Sequence, residues 1–306
     1  MNKKLLFLLP LLGLTACGDR QIKMLVPTGA PAVAFYNHSL DDNFFTNSVP
    51  TNIVSKMTSN SEFDAIVVDT TSGIKAIKNG ANFKIAATIT FGNFFLAGTG
   101  NDVNKTLDYT DSVALFGPIN GIPTLLFDYI YDISKFTNII RVDAVTDAKR
   151  ILDTKKMIDN TPVDYVFIAQ PALFASLKSN TDAYVYDNFQ TKYKEKSGDS
   201  MITQASLFLK NNVQRDKAEF FLNSLEEDIN NAVSNPNLIK EGMDKIEDKA
   251  LASQIYGVSS DVAKAVTAQN NGMGLGFKRA IDIKNDIDLF ITILGMEATD
   301  EEIYYK

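Results

Sequence analysis

The sequence predicts an α/β protein of two lobes. Three observations carry this. Short apolar runs alternate with Gly-, Pro- or Thr-bearing turns that open helical patterns, which is the grammar of parallel α/β units. A polar stretch at 98–111 (GTGNDVNKTLDYTD) interrupts the alternation, which then restarts, so the chain is expected to cross there into a second lobe. A late apolar run at 200–210 (SMITQASLFLK) precedes a mainly helical tail, as expected if the chain returns to its first lobe to finish.

In chain order, Asn2-Lys3-Lys4 makes a basic head and 5–14 an apolar run broken only by Pro10 and Gly13. That run is too short for a bilayer core, which needs about 20 residues, and has the layout of a secretory signal. Its ending, Leu14-Thr15-Ala16-Cys17, resembles the bacterial lipobox. The resemblance implies a signal peptide over 1–16, cleavage before Cys17, and acyl chains such as palmitate on that cysteine. Two or more acyl chains anchor a protein stably. The expected location is therefore extracytoplasmic and lipid-anchored to a bacterial cell membrane. Cys17 is the only cysteine in 306 residues, so no disulfide can form and stability must come from a core. With 45% apolar residues the chain can supply one. A formal net charge of −7 argues against a nucleic-acid partner.

The first lobe, over 17–104, opens with a strand at 21–26 (QIKMLV). A turn of Pro27-Thr28-Gly29-Ala30-Pro31 follows, and a helix over 32–40. A strand at 44–49 leads through Pro50-Thr51 into a helix to residue 59. The run at 63–68 (FDAIVV) reads as a buried strand; Asp69-Thr70-Thr71-Ser72-Gly73 then opens a helix that stops at Asn79-Gly80. Small polar residues at the carboxyl end of a strand lie where open α/β sheets bind ligands. A strand at 83–90 is broken and resumed by Phe91-Gly92-Asn93-Phe94-Phe95.

The second lobe, over 105–198, repeats the grammar. A strand at 112–116 runs into Gly117-Pro118-Ile119-Asn120-Gly121-Ile122-Pro123 and a helix over 124–133. A strand at 138–145 is followed by a short helix at 147–152 with Thr146 as its expected cap. The strand at 164–169 (DYVFIA) enters Gln170-Pro171 and a helix to 177, and 182–186 is a last strand. The charge mix at 192–199 reads as a solvated surface. The return to the first lobe, over 199–306, brings a helix at 215–234. Its stripe is Ala218, Phe221, Leu222, Leu225, Ile229 and Val233. Helices at 237–246, 260–268 and 279–294 complete it. The glycine cluster at 270–276 does not read as following a strand, so it is no dinucleotide fingerprint.

The segments Val-Pro-Thr-Gly-Ala-Pro-Ala, Phe-Asp-Ala-Ile-Val-Val-Asp-Thr-Thr and Phe-Lys-Ile-Ala-Ala-Thr-Ile-Thr-Phe-Gly-Asn stand in a familiar order. Gly-Pro-Ile-Asn-Gly-Ile-Pro and Val-Phe-Ile-Ala-Gln-Pro-Ala extend it. Nearly end to end, the sequence resembles the lipoprotein solute-binding components of ABC importers with the type II periplasmic-binding fold. It is most similar to the nitrate-, sulfonate- and thiamine-precursor-type branch. The resemblance implies two lobes joined by two crossings, a ligand cleft between them, and delivery of a small molecule to a membrane permease by a monomer. Carried over by position, the first lobe would offer Thr28, Gly29 and Ala30, then Asp69, Thr70, Thr71 and Ser72, then Phe91, Gly92 and Asn93. The second would offer Asn120, Gly121 and Ile122, and Gln170, which replaces the acid such proteins often carry.

None of these stretches contains Lys or Arg, which disfavours an anion held by a charge pair. Asp69 and the rings of Phe91, Phe94, Phe95 and Phe116 favour a neutral or weakly basic heterocycle, such as a pyrimidine or thiamine precursor. A nitrate- or sulfonate-type anion is the alternative ligand, and a surface lipoprotein that binds a macromolecule is the alternative function. No enzyme is expected. His38 is the only histidine, no nucleophile elbow, H-E-x-x-H or P-loop occurs, and no cofactor or metal is implied.

Overall fold

A computed structural model describes residues 21–100, 103–179 and 182–306. The signal-peptide reading of 1–16 and the lipidation of Cys17 lie outside the described residues. The first sheet begins with β1 (Met24–Pro27), β2 (Phe44–Asn47), β3 (Ala65–Asp69) and β4 (Phe83–Phe91), linked through α1 (Ala30–Val33), α2 (Pro50–Val54) and α3 (Thr70–Lys78). The second holds β5 (Phe94–Gly98), β6 (Ser112–Phe116), β7 (Asn138–Val142), β8 (Tyr165–Ala169) and β9 (Tyr184–Asn188). Its helices are α4 (Ile122–Tyr131), α5 (Val145–Thr154), α6 (Ala172–Ser179) and α7 (Phe189–Ser197). The chain returns as β10 (Thr203–Lys210) and ends with α8 (Arg215–Ser234), α9 (Asn237–Met243), α10 (Lys249–Tyr256), α11 (Ser260–Ala268), β11 (Leu275–Arg279) and α12 (Lys284–Ile293).

The two sheets follow one plan. In the first the order is β2-β1-β3-β10-β4-β11, and in the second β7-β6-β8-β5-β9. Each has a parallel trio, β2-β1-β3 or β7-β6-β8. Each then takes the strand that follows a crossing, β10 or β5, antiparallel on both sides. The parallel strands are near-continuous apolar runs because helices cover both faces of the sheet. One core joins α1 and α8–α11 to the first sheet through Val26, Val67 and Leu207. A second runs through both lobes, from Ile66 and Phe208 by Phe290 of α12 to Phe127, Phe167 and Phe189.

Several elements differ from the sequence reading. β5 lies in the second sheet although it precedes 98–111, so the change of sheet falls at Gly92 and Asn93. The polar stretch instead runs along the second lobe. There Lys105 pairs with Asp111 at 2.6 Å and Asp164 at 3.0 Å, and Asp164 accepts the Ser112 amide at 2.9 Å. The expected helix at 279–294 is strand β11 followed by the shorter α12, so the glycine cluster leads into a strand. The charge mix at 192–199 largely belongs to α7, capped by the Asn188 side chain on the amides of Gln190 and Thr191. α10 was not anticipated, and its cap is Asp248, accepting from Ala250 and Leu251. At α5 the cap position is Ala144 rather than Thr146. The helix expected at 32–40 is α1 followed by a 3₁₀ turn at Tyr36–His38.

Gly73, inside α3, is where that helix lies closest to the sheet. A Cβ there would sit 2.1 Å from the buried Phe208 ring. Alanine normally stabilises a helix interior by about 1 kcal/mol over glycine. Here overpacking costs about 1–3 kcal/mol and dominates. G73A should therefore lower the melting temperature; a rise on thermal denaturation would contradict the close approach.

The C-terminal helices are held by one carboxylate. Asp244, closing α9, is 2.7 Å from Lys249 Nζ of α10, accepts from Ser260 Oγ of α11 at 2.6 Å, and is 2.9 Å from Lys240 Nζ. The bonds from Lys249, Ser260 and Lys240 hold its carboxyl well below the usual carboxylate range. A depressed folded pKa contributes stability above the unfolded value, about 3.9, and that contribution is lost as pH falls through the folded one. D244N should therefore destabilise at pH 7, with the gap to the parent closing in acid. Equal melting curves at pH 7 would refute this.

Candidate functional site

The carboxyl ends of the parallel strands carry the sequence-predicted residues, and the structure uses many of them internally. After β1, Thr28 donates its amide to Asn47 O at 3.1 Å, and Gly29 donates to Tyr256 O of α10 at 2.8 Å. Ala30 is buried in the first core. After β3, Asp69 caps α3, accepting from Ser72 N at 2.8 Å and Thr71 Oγ1 at 2.6 Å. Thr70 turns into the sheet, where Ser206 Oγ lies 2.8 Å from its hydroxyl and 3.0 Å from that of Thr88. That buried ladder ties α3 to β10 and β4.

The crossing concentrates the remaining polarity. Asn93 donates its backbone amide to Gln204 Oε1 at 3.2 Å and its side-chain Nδ2 to Gln170 O at 3.3 Å. Its own carbonyl accepts from Gln170 N at 3.0 Å. Gln170, followed by cis-Pro171, accepts from Phe174 N at 2.9 Å and so caps α6, a task an amide oxygen performs without charge. Gly92 donates to Ile202 O at 3.3 Å, and Gln190 Oε1 accepts from Ile202 N at 3.2 Å. Thus both crossings and the end of β8 meet around Asn93. Four buried polar atoms along these segments, Thr90 Oγ1, Asn93 Oδ1, Gln190 Nε2 and Thr203 Oγ1, have no hydrogen-bond partner among the described residues. Leaving such a group unpaired costs about 1–3 kcal/mol.

The glycine cluster forms the edge beside Phe91. The Phe91 amide donates to Gly274 O at 2.7 Å. Gly274 has φ +66°, and a Cβ there would meet Phe91 O at 1.9 Å, so both its conformation and the close approach require glycine. Of the expected aromatic platform, Phe94 and Phe95 are buried in the cores, while Phe91 and Phe116 stay partly exposed.

In the second lobe, Asn120 is exposed at a turn closed by Gly121 N on Pro118 O at 2.9 Å. Gly121 stands at the N-cap of α4 with Ile122 first in the helix, and the cap receives no side-chain bond. A residue absent from the sequence reading joins this corner. Arg141 of β7 pairs across the sheet with Leu115, next to the carboxyl end of β6, and its Nη1 donates to Thr124 Oγ1. Burial pulls its guanidinium below the usual arginine range. The signal was present: Arg141 is the one charge in the strand Asn-Ile-Ile-Arg-Val. Gln190, Ile202 and Gln204 were also missed, because only the return crossing brings them to Asn93.

A cavity of about 280 Å³ opens elsewhere in the second lobe, lined by residues such as Tyr109, Tyr131, Phe136 and Lys196. Lys135 there pairs with Asp132, and Lys196 donates to the carbonyl of Tyr129. It includes none of the strand-end residues above. Among the described residues no group of three or more His, Cys, Asp or Glu gathers to hold a metal ion, and no helix is long and apolar enough to cross a membrane.

No protein-family model matches the sequence, and no curated protein matches it. Solved structures do. An ABC transporter structure from Parabacteroides distasonis superposes with a TM-score of 0.72 at 13% identity, covering 94% of this chain and 99% of its own. The periplasmic aliphatic sulphonate-binding protein of Escherichia coli gives 0.61 at 12% identity, over 93% and 92%. The zinc-bound ligand-binding component of an ABC-type import system from Staphylococcus aureus gives 0.58 at 12% identity, over 94% and 97%. At these identities the shared property is the fold, and the chain has the two-lobed type II fold of periplasmic binding proteins.

Proposed function

We propose that this protein is the solute-binding component of an ABC importer. It captures one small molecule between its lobes and delivers it to a membrane permease, held outside the cytoplasm by acyl chains on Cys17. The observation that carries the reading is the meeting of both crossings and the end of β8 around Asn93, between the two sheets. The structures similar in fold, which include a sulphonate-binding protein and an import-system component, support the same reading.

Two ligand classes follow from the sequence. A neutral or weakly basic heterocycle would rest on Phe91 and Phe116, since Asp69 already caps α3 and Phe94 and Phe95 lie in the cores. An anion would rest on a cationic group at the strand ends, and Arg141 is such a group.

A thermal-shift screen of the purified protein against pyrimidines, thiamine precursors, sulfonates, nitrate and amino acids tests the reading. Solute at 100 times its dissociation constant adds about 2.7 kcal/mol, a shift of several degrees. One chemical class should raise the melting temperature. No shift from any of them, before and after unfolding and refolding to remove co-purified solute, would count against solute binding.

A further inference from the structure

We propose that the cavity of about 280 Å³ at the C-terminal end of α4 is a second small-molecule site, and that it takes a single-ring aromatic carboxylate. Its walls belong wholly to the second lobe and include none of the strand-end residues, so it stands independently of the solute-binding reading.

The position of the cavity follows from the direction of α4. That helix starts at the turn after β6, among the strand ends, and its ten residues carry it about 15 Å to Tyr131. There the cavity opens, between the end of α4, the segment before β6 and the last turn of α7, which brings Lys196. Its walls are rings whose polar ends are already tied down. The Tyr131 hydroxyl donates to Asp187, and burial together with that carboxylate pushes the phenol up, so it stays neutral. The Tyr186 hydroxyl accepts the Leu107 amide at 3.0 Å. Phe136 meets the half-exposed Tyr109 edge to face at 5.3 Å. Rings held in this way lose little freedom when a flat apolar body packs on them. The volume falls just below the range of drug-sized sites, about 300–1,000 Å³, and so suits one ring.

Charge selects among flat ligands. Two lysines and one aspartate line the cavity. Lys135 pairs with Asp132 at 3.3 Å and lies 5.8 Å over the Tyr109 ring. Lys196 has no carboxylate within ion-pair distance among the described residues. Its ammonium donates to the Tyr129 carbonyl and, at 3.4 Å, to the Ile130 carbonyl, at the helix end that favours a cation. These neutral partners hold the charge in place without cancelling it, and an ammonium has three donors to give. A carboxylate carried on the ring would complete the pair with Lys196. An amine there would meet two ammonium groups, and a neutral ring would leave Lys196 without a counter-ion.

Calorimetry on the purified protein compares benzoate and phenylacetate with benzamide and benzylamine. At least one acid should bind, benzamide should bind roughly 10-fold more weakly or worse, and benzylamine should give no heat. K196Q keeps a donor for the Tyr129 carbonyl but removes the charge, and it should weaken the acid roughly 10-fold or more. K196R should recover most of that loss, which a merely unfolded variant would not. Y109A should weaken the acid roughly 2- to 10-fold. K194Q, at an exposed lysine of α7 outside the cavity, should bind as the parent does. Acid binding undiminished in both K196Q and Y109A would place the acid elsewhere and overturn this proposal, while solute binding at the strand ends would stand. Silence from both acids, or benzamide or benzylamine binding as tightly as the acid, would overturn it as well.

Discussion

The structure depends on the insertion of β10 between β3 and β4. Those two strands are close in sequence but do not pair; β10 arrives from the far side of the second lobe and bonds antiparallel to both. Until it does, the first sheet is two fragments. The insertion buries Phe208 against α3 and completes the hydroxyl ladder of Thr70, Ser206 and Thr88. Buried hydroxyls that satisfy one another fix register as well as contributing energy. The second sheet is closed in the same way by β5, which follows the first crossing. Each lobe therefore carries a strand that enters directly from a crossing, and the candidate site lies where those entries meet.

This explains why Asn93, rather than a helix start, is the best-connected residue of the candidate site. Its bonds reach Gln204 on the return strand and Gln170 at the end of β8. A rigid-body movement of one lobe against the other must act on these bonds. Arg141, on the edge strand β7 of the second sheet, stands apart from the other cations. Many cations of the described residues sit in surface pairs of small energetic weight. Arg141 is partly withdrawn from water beside a helix start.

Much of the fold was legible in the sequence because parallel α/β units announce themselves. The apolar runs ending in Pro27-Thr28-Gly29, Asp69-Thr70-Thr71 and Gly117-Pro118 each became a strand and its turn. What was hidden depended on distant partners. β11 is short and follows glycines, so its strand character comes from pairing with β4 rather than from its composition. α7 has no strong apolar stripe, and it is held by Phe189 and Tyr193, whose core lies across the lobe. Polarity marks 98–111 as the first crossing, whereas the chain changes sheets within two residues and spends its polar stretch on the ion pairs of Lys105. The site was legible as strand ends. Which of their side chains are free was not, since Thr70 and Gly29 are engaged by Ser206 and Tyr256, far along the chain.

The central claim is that a small solute closes two lobes around the crossings. Small-angle X-ray scattering of the purified protein, with and without the solute that most stabilises it, tests this most directly. Closure requires a smaller radius of gyration at saturation, reached with one solute per chain. An unchanged scattering curve at saturating solute would contradict it.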